Sequence, residues 1–87
     1  MQTACDWLER NYKWDRFFLY VDTFDPHEPW DAPEWYLRLY EKEEWKGNRL
    51  DYPKGGPVEG VYTDEEIQHI RALYAAEVTL VDKWVGR

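Results

Sequence analysis

The chain has 87 residues, which is enough for one domain at most, and a chain of this length buries only about 60 to 65% of its unfolded surface. Its 6 Trp, 7 Tyr and 3 Phe argue against disorder, although 33% of the residues are charged. The formal net charge of −7, from 18 acidic and 11 basic residues, excludes nucleic acid as a partner because phosphates would be repelled over most of the surface.

The N-terminal third predicts one helix and one strand. Thr3 is a candidate cap for a first helix that runs to about Tyr12 or Trp14, with apolar side chains along one stripe. Residues 17–24 are rich in aromatic and branched side chains, a composition typical of an interior strand in a sheet that helices cover on both faces. We therefore predict an interior strand over residues 17–24.

A histidine between two prolines follows this predicted strand. Open sheets place their chemistry just beyond the carboxyl ends of their strands, and His27 lies three residues after Phe24. Pro26 and Pro29 each fix one backbone angle and so restrict the direction of the imidazole. The sequence thus favours either a functional His27 or an ordinary turn, because Asp-Pro and Glu-Pro pairs also mark turns.

The rest of the chain predicts two more helices around an irregular connection. A short helix is expected from about Pro33 to Lys42, and glycines and prolines indicate irregular structure over residues 45–62, with a brief extended piece near residues 58–62. Thr63 and Glu66 form a capping box at the start of a long amphipathic helix over residues 63–85. His69 falls off the apolar stripe of this helix and is predicted to be exposed.

These elements together predict an α/β fold that is incomplete. A lone strand has no partners for its amides and carbonyls, and each group left dry costs on the order of 1 to 3 kcal/mol. We therefore expect residues 1–87 to be a single partial domain that needs the rest of a catalytic domain to complete its sheet. If the chain holds together, the long helix should pack on the strand and on the first helix through its Ile and Val side chains.

The chain resembles the central part of sulfatases, which belong to the alkaline phosphatase superfamily. The likeness rests on residues 17–30, most specifically on Asp-Pro-His-Glu-Pro at positions 25–29, and on the helical segment 74–82 followed by Val85 and Gly86. It implies a fragment of an α/β sandwich around a large mixed sheet, mostly helical here, with the strand at 17–24. It also implies an enzyme that hydrolyses sulfate esters or sulfamates of small molecules or glycans.

The resemblance assigns a role to His27 and leaves the rest of the catalytic machinery outside this segment. The family's histidine at the end of this strand contacts the sulfate or the leaving-group oxygen, and it corresponds to His27. The family also uses a formylglycine nucleophile, made from Cys or Ser in a Cys/Ser-x-Pro-x-Arg motif, and a calcium-type ion. Cys5 lacks the proline and arginine of that motif, and the family's metal-binding acids and its Asp-His-Gly strand are absent.

We therefore expect no bound cofactor in this segment and no sulfatase activity from the chain alone. A single imidazole can help a leaving group, but it supplies neither a strong nucleophile nor neutralisation of the sulfuryl oxygens. No stretch of 18 apolar residues and no basic, apolar leader is present, so we expect neither a membrane span nor a signal peptide in this segment, and the compartment is unknown.

Two other interpretations stay open at the level of the sequence. One keeps the superfamily but takes a phosphate or phosphonate ester as substrate, because related sites handle both kinds of tetrahedral anion. The other is a small acidic binding module, whose aromatic rings stack on a sugar or dock a protein. Its candidate rings are Trp30, Trp35, Tyr36, Trp45 and Tyr52.

Overall fold

The computed structural model describes residues 1–87 and contains three helices and no β-strand. Helix α1 covers Gln2–Asn11, helix α2 covers Glu34–Leu37 and helix α3 covers Asp64–Gly86. Turns and irregular backbone connect them. The predicted α/β fold with an interior strand over residues 17–24 is therefore wrong, and the chain is a helical structure with long connections.

The segment predicted as a strand is largely exposed in the structure. Phe18 is 90% exposed, Tyr20 and Phe24 are also exposed, and Leu19 alone is half-buried. The only backbone hydrogen bond made by residues 17–24 joins the carbonyl of Phe24 to the amide of His27. A β-strand is defined by a ladder to a neighbouring strand, and no other part of this chain offers one. The apolar composition of residues 17–24 is no substitute for a neighbouring strand, so the prediction fails.

Helix α3 begins where the sequence predicted. The Thr63 hydroxyl accepts a hydrogen bond from the amide of Glu66 at 3.2 Å, and the Glu66 carboxylate accepts one from the amide of Thr63 at 3.4 Å. This capping box satisfies two amides that the first helical turn leaves without partners. The prediction of a capped helix start at Thr63 is confirmed.

The small core includes Leu73 and Ala76 of the apolar face predicted for α3, whereas Val78 and Val85 of that face are exposed. Ala72, Leu73 and Ala76 are buried against Leu37 of α2 and Ala32 just before it. Helix α1 touches only the far end of α3, where Arg87 and Glu9 approach to 3.5 Å. The predicted packing of α3 on α1 along their apolar faces is therefore wrong, because the two helices meet only at the C-terminal end of α3.

The other element boundaries differ from the predictions by several residues. Helix α1 begins at Gln2 without a side-chain cap, so Thr3 lies inside the helix. Helix α2 ends at Leu37 and continues only as turns to Glu41. The connection over residues 45–62 is irregular as predicted, but residues 58–62 form a hydrogen-bonded turn and not an extended piece.

The molecule is elongated for its length. Its principal extents are 56 × 27 × 15 Å and its radius of gyration is 17.0 Å. A compact domain of this length has a radius of gyration of about 12 Å. The accessible surface is 7192 Å², whereas a folded monomer of this mass exposes about 5,500 Å². Much apolar surface therefore stays in contact with solvent.

Candidate functional site

The loop over residues 24–31, called here the His27 loop, presents the predicted site residue at the surface. The amide of His27 donates to the carbonyl of Phe24 at 3.1 Å, which closes a turn, and the two rings lie 4.5 Å apart. The peptide bonds before Pro26 and Pro29 are both cis. The side chain of His27 is 54% exposed, so a ligand can reach it.

The imidazole of His27 is held by one nitrogen and leaves the other free. Its Nδ1 lies 2.8 Å from the carbonyl oxygen of Glu28 and 3.0 Å from the Glu28 carboxylate. A carbonyl oxygen only accepts, so Nδ1 carries the proton and donates it. Nε2 has no hydrogen-bond partner within the chain, and it is the atom that can accept from, or when protonated donate to, a bound molecule.

Trp30 fastens the His27 loop to the rest of the chain. Its backbone amide donates to the carbonyl of Asp51 at 2.8 Å, and its indole Nε1 donates to the carbonyl of Pro26 at 3.0 Å. Its ring packs against Tyr74 of α3 with centroids 5.3 Å apart. The side chain of Trp30 thus spans the loop and joins it to α3, and its backbone amide joins the loop to the connection before α3.

A cluster of three carboxyl groups lies where the loop meets α3. Glu77 is 1% exposed, and Asp25 and Asp31 of the His27 loop face it. Burial raises the pKa of Glu77, and the nearby charges of Asp25 and Asp31 raise it further, whereas the backbone amide of Ala32 acts in the opposite direction. Its Oε2 is fully buried and has no hydrogen-bond partner. Glu77 is therefore held in an environment that disfavours its charged form.

The second histidine is buried, contrary to the sequence prediction. His69 is 2% exposed, and its Nδ1 lies 2.7 Å from the carboxylate of Glu41. Its Nε2 accepts a hydrogen bond from the amide of Leu50 at 3.4 Å, and its ring stacks on Trp45 at 4.4 Å. Both ring nitrogens have partners in the connection before α3, so His69 joins α3 to that connection. The helix periodicity alone does not reveal this role.

A cleft of about 580 Å³ lies on the His69 side of the molecule and does not include His27. Side chains of both signs line it, among them Glu34 and Arg49, which form an ion pair at 2.8 Å. The faces of Trp45 are not open there, since one covers His69 and Gly47 lies close to the ring. We therefore place the candidate site at His27, where an unpartnered imidazole nitrogen meets solvent, and not in this cleft.

The aromatic side chains proposed for a binding module do not act as one group. Trp35 and Tyr52 are exposed, whereas Trp30, Tyr36 and Trp45 are half-buried. Trp30 packs on Tyr74 and Trp45 packs on His69, as described above. The rings of Trp30 and Trp45 thus make contacts within the chain, and the five rings do not form one aromatic platform.

The residues of this chain do not fit a metal ion or a formylglycine. No group of three or more His, Cys, Asp or Glu side chains is arranged to hold a metal ion. Cys5 is half-buried in α1, and its Sγ lies 3.8 Å from the carbonyl of Trp84 at the end of α3.

No helix of the structure has the length and apolar character needed to cross a membrane.

The sequence is similar to an arylsulfatase of Clostridium perfringens (strain 13 / Type A), with 26% identity over 95 aligned residues. The alignment takes in 97% of this chain and 20% of that protein, so the chain spans about a fifth of the length of the curated relative it matches. No family model matches the chain, and no solved structure matches it. The comparison supports a distant likeness to a sulfatase.

Two residues of the site region were not anticipated from the sequence. Glu77 follows Ile70 and Leu73 on the inward side of α3, and an acid at such a position is a signal that a buried carboxyl lies there. Trp30 carries no local signal for its role, because its hydrogen bond to Asp51 and its contact with Tyr74 depend on the tertiary structure.

Proposed function

We propose that this chain is a segment of a sulfatase that hydrolyses sulfate esters, and that His27 contacts the sulfate group or the leaving-group oxygen. The observation that carries the proposal is the likeness to an arylsulfatase over 97% of the chain. The Asp-Pro-His-Glu-Pro stretch at positions 25–29, which carries the resemblance, presents the exposed imidazole of His27 at its centre.

The shape of the molecule supports a partial domain. Its surface exceeds the roughly 5,500 Å² expected for this mass by a wide margin, and its five buried apolar residues form a very small core. Exposed apolar side chains over residues 17–24 are the ones that further polypeptide would cover. We propose that residues 1–87 form one part of a larger catalytic domain.

The geometry of His27 suits a contact with a tetrahedral anion. Glu28 holds Nδ1, so the imidazole presents Nε2 to solvent in a fixed direction. When the ring is protonated, Nε2–H can donate to a sulfuryl oxygen, or give its proton to the departing alcohol oxygen. A sulfated small molecule or glycan is the substrate class that follows from this proposal.

His27 supplies only one part of the chemistry. Sulfate transfer also needs a nucleophile and neutralisation of the sulfuryl oxygens. In the proposed parent enzyme, the formylglycine and the calcium-type ion belong to other parts of the polypeptide, because no residue set of this chain fits them. We therefore expect the 87-residue chain to have no turnover by itself.

A direct test compares the complete product of the reading frame that encodes these residues with the 87-residue chain. Both are assayed with an aryl sulfate and with the matching aryl phosphate, with calcium supplied. We expect turnover of the sulfate by the longer protein, a fall of 100-fold or more in kcat/KM in His27→Ala, and no turnover by the 87-residue chain.

The exposed Gln68→Ala variant on α3 is the matched control and should keep full activity. A preference for the phosphate ester would shift the proposal to a phosphate or phosphonate ester hydrolase of the same superfamily. Equal sulfatase activity of His27→Ala and the parent protein would remove the role proposed for His27.

A further inference from the structure

Glu77 is an acid placed where a charged carboxylate lacks support. It lies in the second half of α3, 1% exposed, and its Oε2 has neither solvent contact nor a hydrogen-bond partner. No Lys, Arg or His lies within ion-pairing distance of it. A buried charge without such partners is strongly disfavoured, so this carboxyl needs another source of stabilisation.

The groups that face Glu77 are acids from the His27 loop. Asp25 raises the pKa of Glu77 more than Asp31 does. No other titratable group acts on Glu77 from α2, from α3 or from the connection before α3. The backbone amide of Ala32 acts in the opposite direction and favours the carboxylate. Asp25 and Asp31 are exposed, whereas Glu77 is buried beside them, so a charge on Glu77 is both poorly solvated and repelled by its neighbours. A proton held between Glu77 and Asp25 relieves that repulsion.

We propose that Glu77 is a positioning residue for the His27 loop: in the folded chain its carboxyl keeps a proton and donates it to the carboxylate of Asp25, which fastens the loop to α3. The proton comes from solvent, and one is retained for each folded molecule. The bond turns a repulsive contact between two acids into a hydrogen bond between a carboxyl and a carboxylate, which is among the stronger hydrogen bonds in proteins.

This bond and the Trp30 contacts hold opposite ends of the same loop. Asp25 lies two residues before His27, and Trp30 lies three residues after it and packs on Tyr74. Loss of the Glu77 proton places a new negative charge against Asp25 and Asp31 and weakens the first attachment only. The direction of His27 then becomes pH-dependent. The effect of this change on substrate contact rests on the proposed function, whereas the hydrogen bond between Glu77 and Asp25 does not.

The raised pKa of Glu77 agrees with this assignment, since burial and neighbouring acids both favour the protonated form. A cation between the same carboxyl groups is the competing explanation. The side chains are not arranged as a metal site, and a proton satisfies the buried oxygen without further ligands. The experiment separates the two.

The test follows the carboxyl carbons of the 87-residue chain by NMR as the pH is raised, with the Trp30 indole proton and the His27 ring protons as reporters of the loop. We expect Glu77 to titrate above every other glutamate, and the loop reporters to change at the same midpoint. Addition of calcium at millimolar concentration should leave these signals unchanged. A Glu77 midpoint within the range of the exposed glutamates overturns the proposal, and so does a calcium response at the same signals.

Variants test the bond from both sides. Glu77→Gln supplies an amide that donates to Asp25 at every pH, so the loop should stay attached and its reporter signals should show no midpoint. Glu77→Ala removes the donor, so the loop should be detached at every pH. Asp25→Asn should also keep the loop attached at high pH, and it tests the bond without altering α3. The exposed Glu65→Gln variant of the same helix is the control and should retain the wild-type midpoint.

Loss of the loop signals at the same pH in wild type and Glu77→Gln would overturn the proposal. The wild-type titration decides the protonation state even if a variant fails to fold. His27→Ala should leave the Glu77 midpoint unchanged, so failure of this bond and failure of the role proposed for His27 give separate results.

Discussion

Replacement of His69 by alanine is expected to unfold most of the chain. The imidazole connects α3 to Glu41, to the backbone of Leu50 and to the ring of Trp45. Truncation leaves the Glu41 carboxylate, whose side chain is only 17% exposed, without its donor. It also leaves the amide of Leu50 without an acceptor and uncovers one face of Trp45.

The magnitude follows from these three contacts. A hydrogen bond to a charged group contributes about 1.5 to 3 kcal/mol, and an amide left unpaired costs about 1 kcal/mol when its bond was as long as this one. Loss of the stacked ring adds about 0.5 to 1.5 kcal/mol. Because the three share one side chain, the effects overlap, and we expect a loss of about 3 to 5 kcal/mol in the free energy of unfolding.

A loss of this size is comparable to the whole stability of so small a domain. Typical domains have a free energy of unfolding of about 5 to 15 kcal/mol, and this chain buries only five apolar residues. Urea titrations followed by far-UV circular dichroism measure the change. His69→Ala should show little helix even without urea, and His69→Gln, whose amide can still donate to Glu41, should fall between it and the wild type.

His27→Ala is the matched control, because it removes the same side chain from an exposed position whose contacts are with Phe24 and Glu28 of the same loop. It should change the free energy of unfolding by less than about 0.5 kcal/mol. Equal urea midpoints for His69→Ala and His27→Ala would refute the conclusion that His69 holds α3 to the connection before it.

Four further changes test the packing and electrostatics. Leu73→Ala, at a position 1% exposed, should lose about 2 to 4 kcal/mol in urea unfolding. Thr63→Ala should lose about 1 kcal/mol by removing the hydroxyl of the capping box, whereas Thr63→Ser should retain it. Phe18→Ser, at a position 90% exposed, should leave the urea midpoint unchanged but reduce concentration-dependent association in sedimentation runs. The pKa of Glu77 is raised in the folded chain, so its protonated form stabilises the fold. This stabilisation is fully present below the unfolded pKa of about 4.3 and is lost as the pH rises through the folded pKa. Glu77→Gln should flatten this decline in urea midpoints measured across the pH range.

Local signals in the sequence predicted part of the local structure, although Thr3 does not cap α1. The capping box at Thr63 and Glu66 fixed the start of α3, because both of its hydrogen bonds lie within four residues. The Asp-Pro and Glu-Pro pairs beside His27 indicated a turn, and the amide of His27 closes one by donating to the carbonyl of Phe24. The role proposed for that side chain stays a prediction, because it depends on a substrate and on polypeptide beyond these residues.

Predictions that needed distant partners failed. The composition of residues 17–24 favours a strand, but a strand exists only where another backbone supplies hydrogen bonds, and none does so here. His69 was assigned to solvent from its place on a helical wheel, yet Glu41 and Trp45 from the preceding connection bury it. The helix periodicity describes one helix and carries no information about what covers it.

The sequence by itself determined a long capped helix, an irregular connection before it, an acidic aromatic-rich composition and a histidine in a proline-bounded turn. Only the tertiary structure decided that His69 and Glu77 of α3 are buried, and that two acids of the His27 loop face Glu77. Capping and turn formation depend on atoms a few residues apart, so they can be read in order along the chain. Burial and charge coupling depend on groups brought together across dozens of residues, and those contacts exist only after the chain has folded.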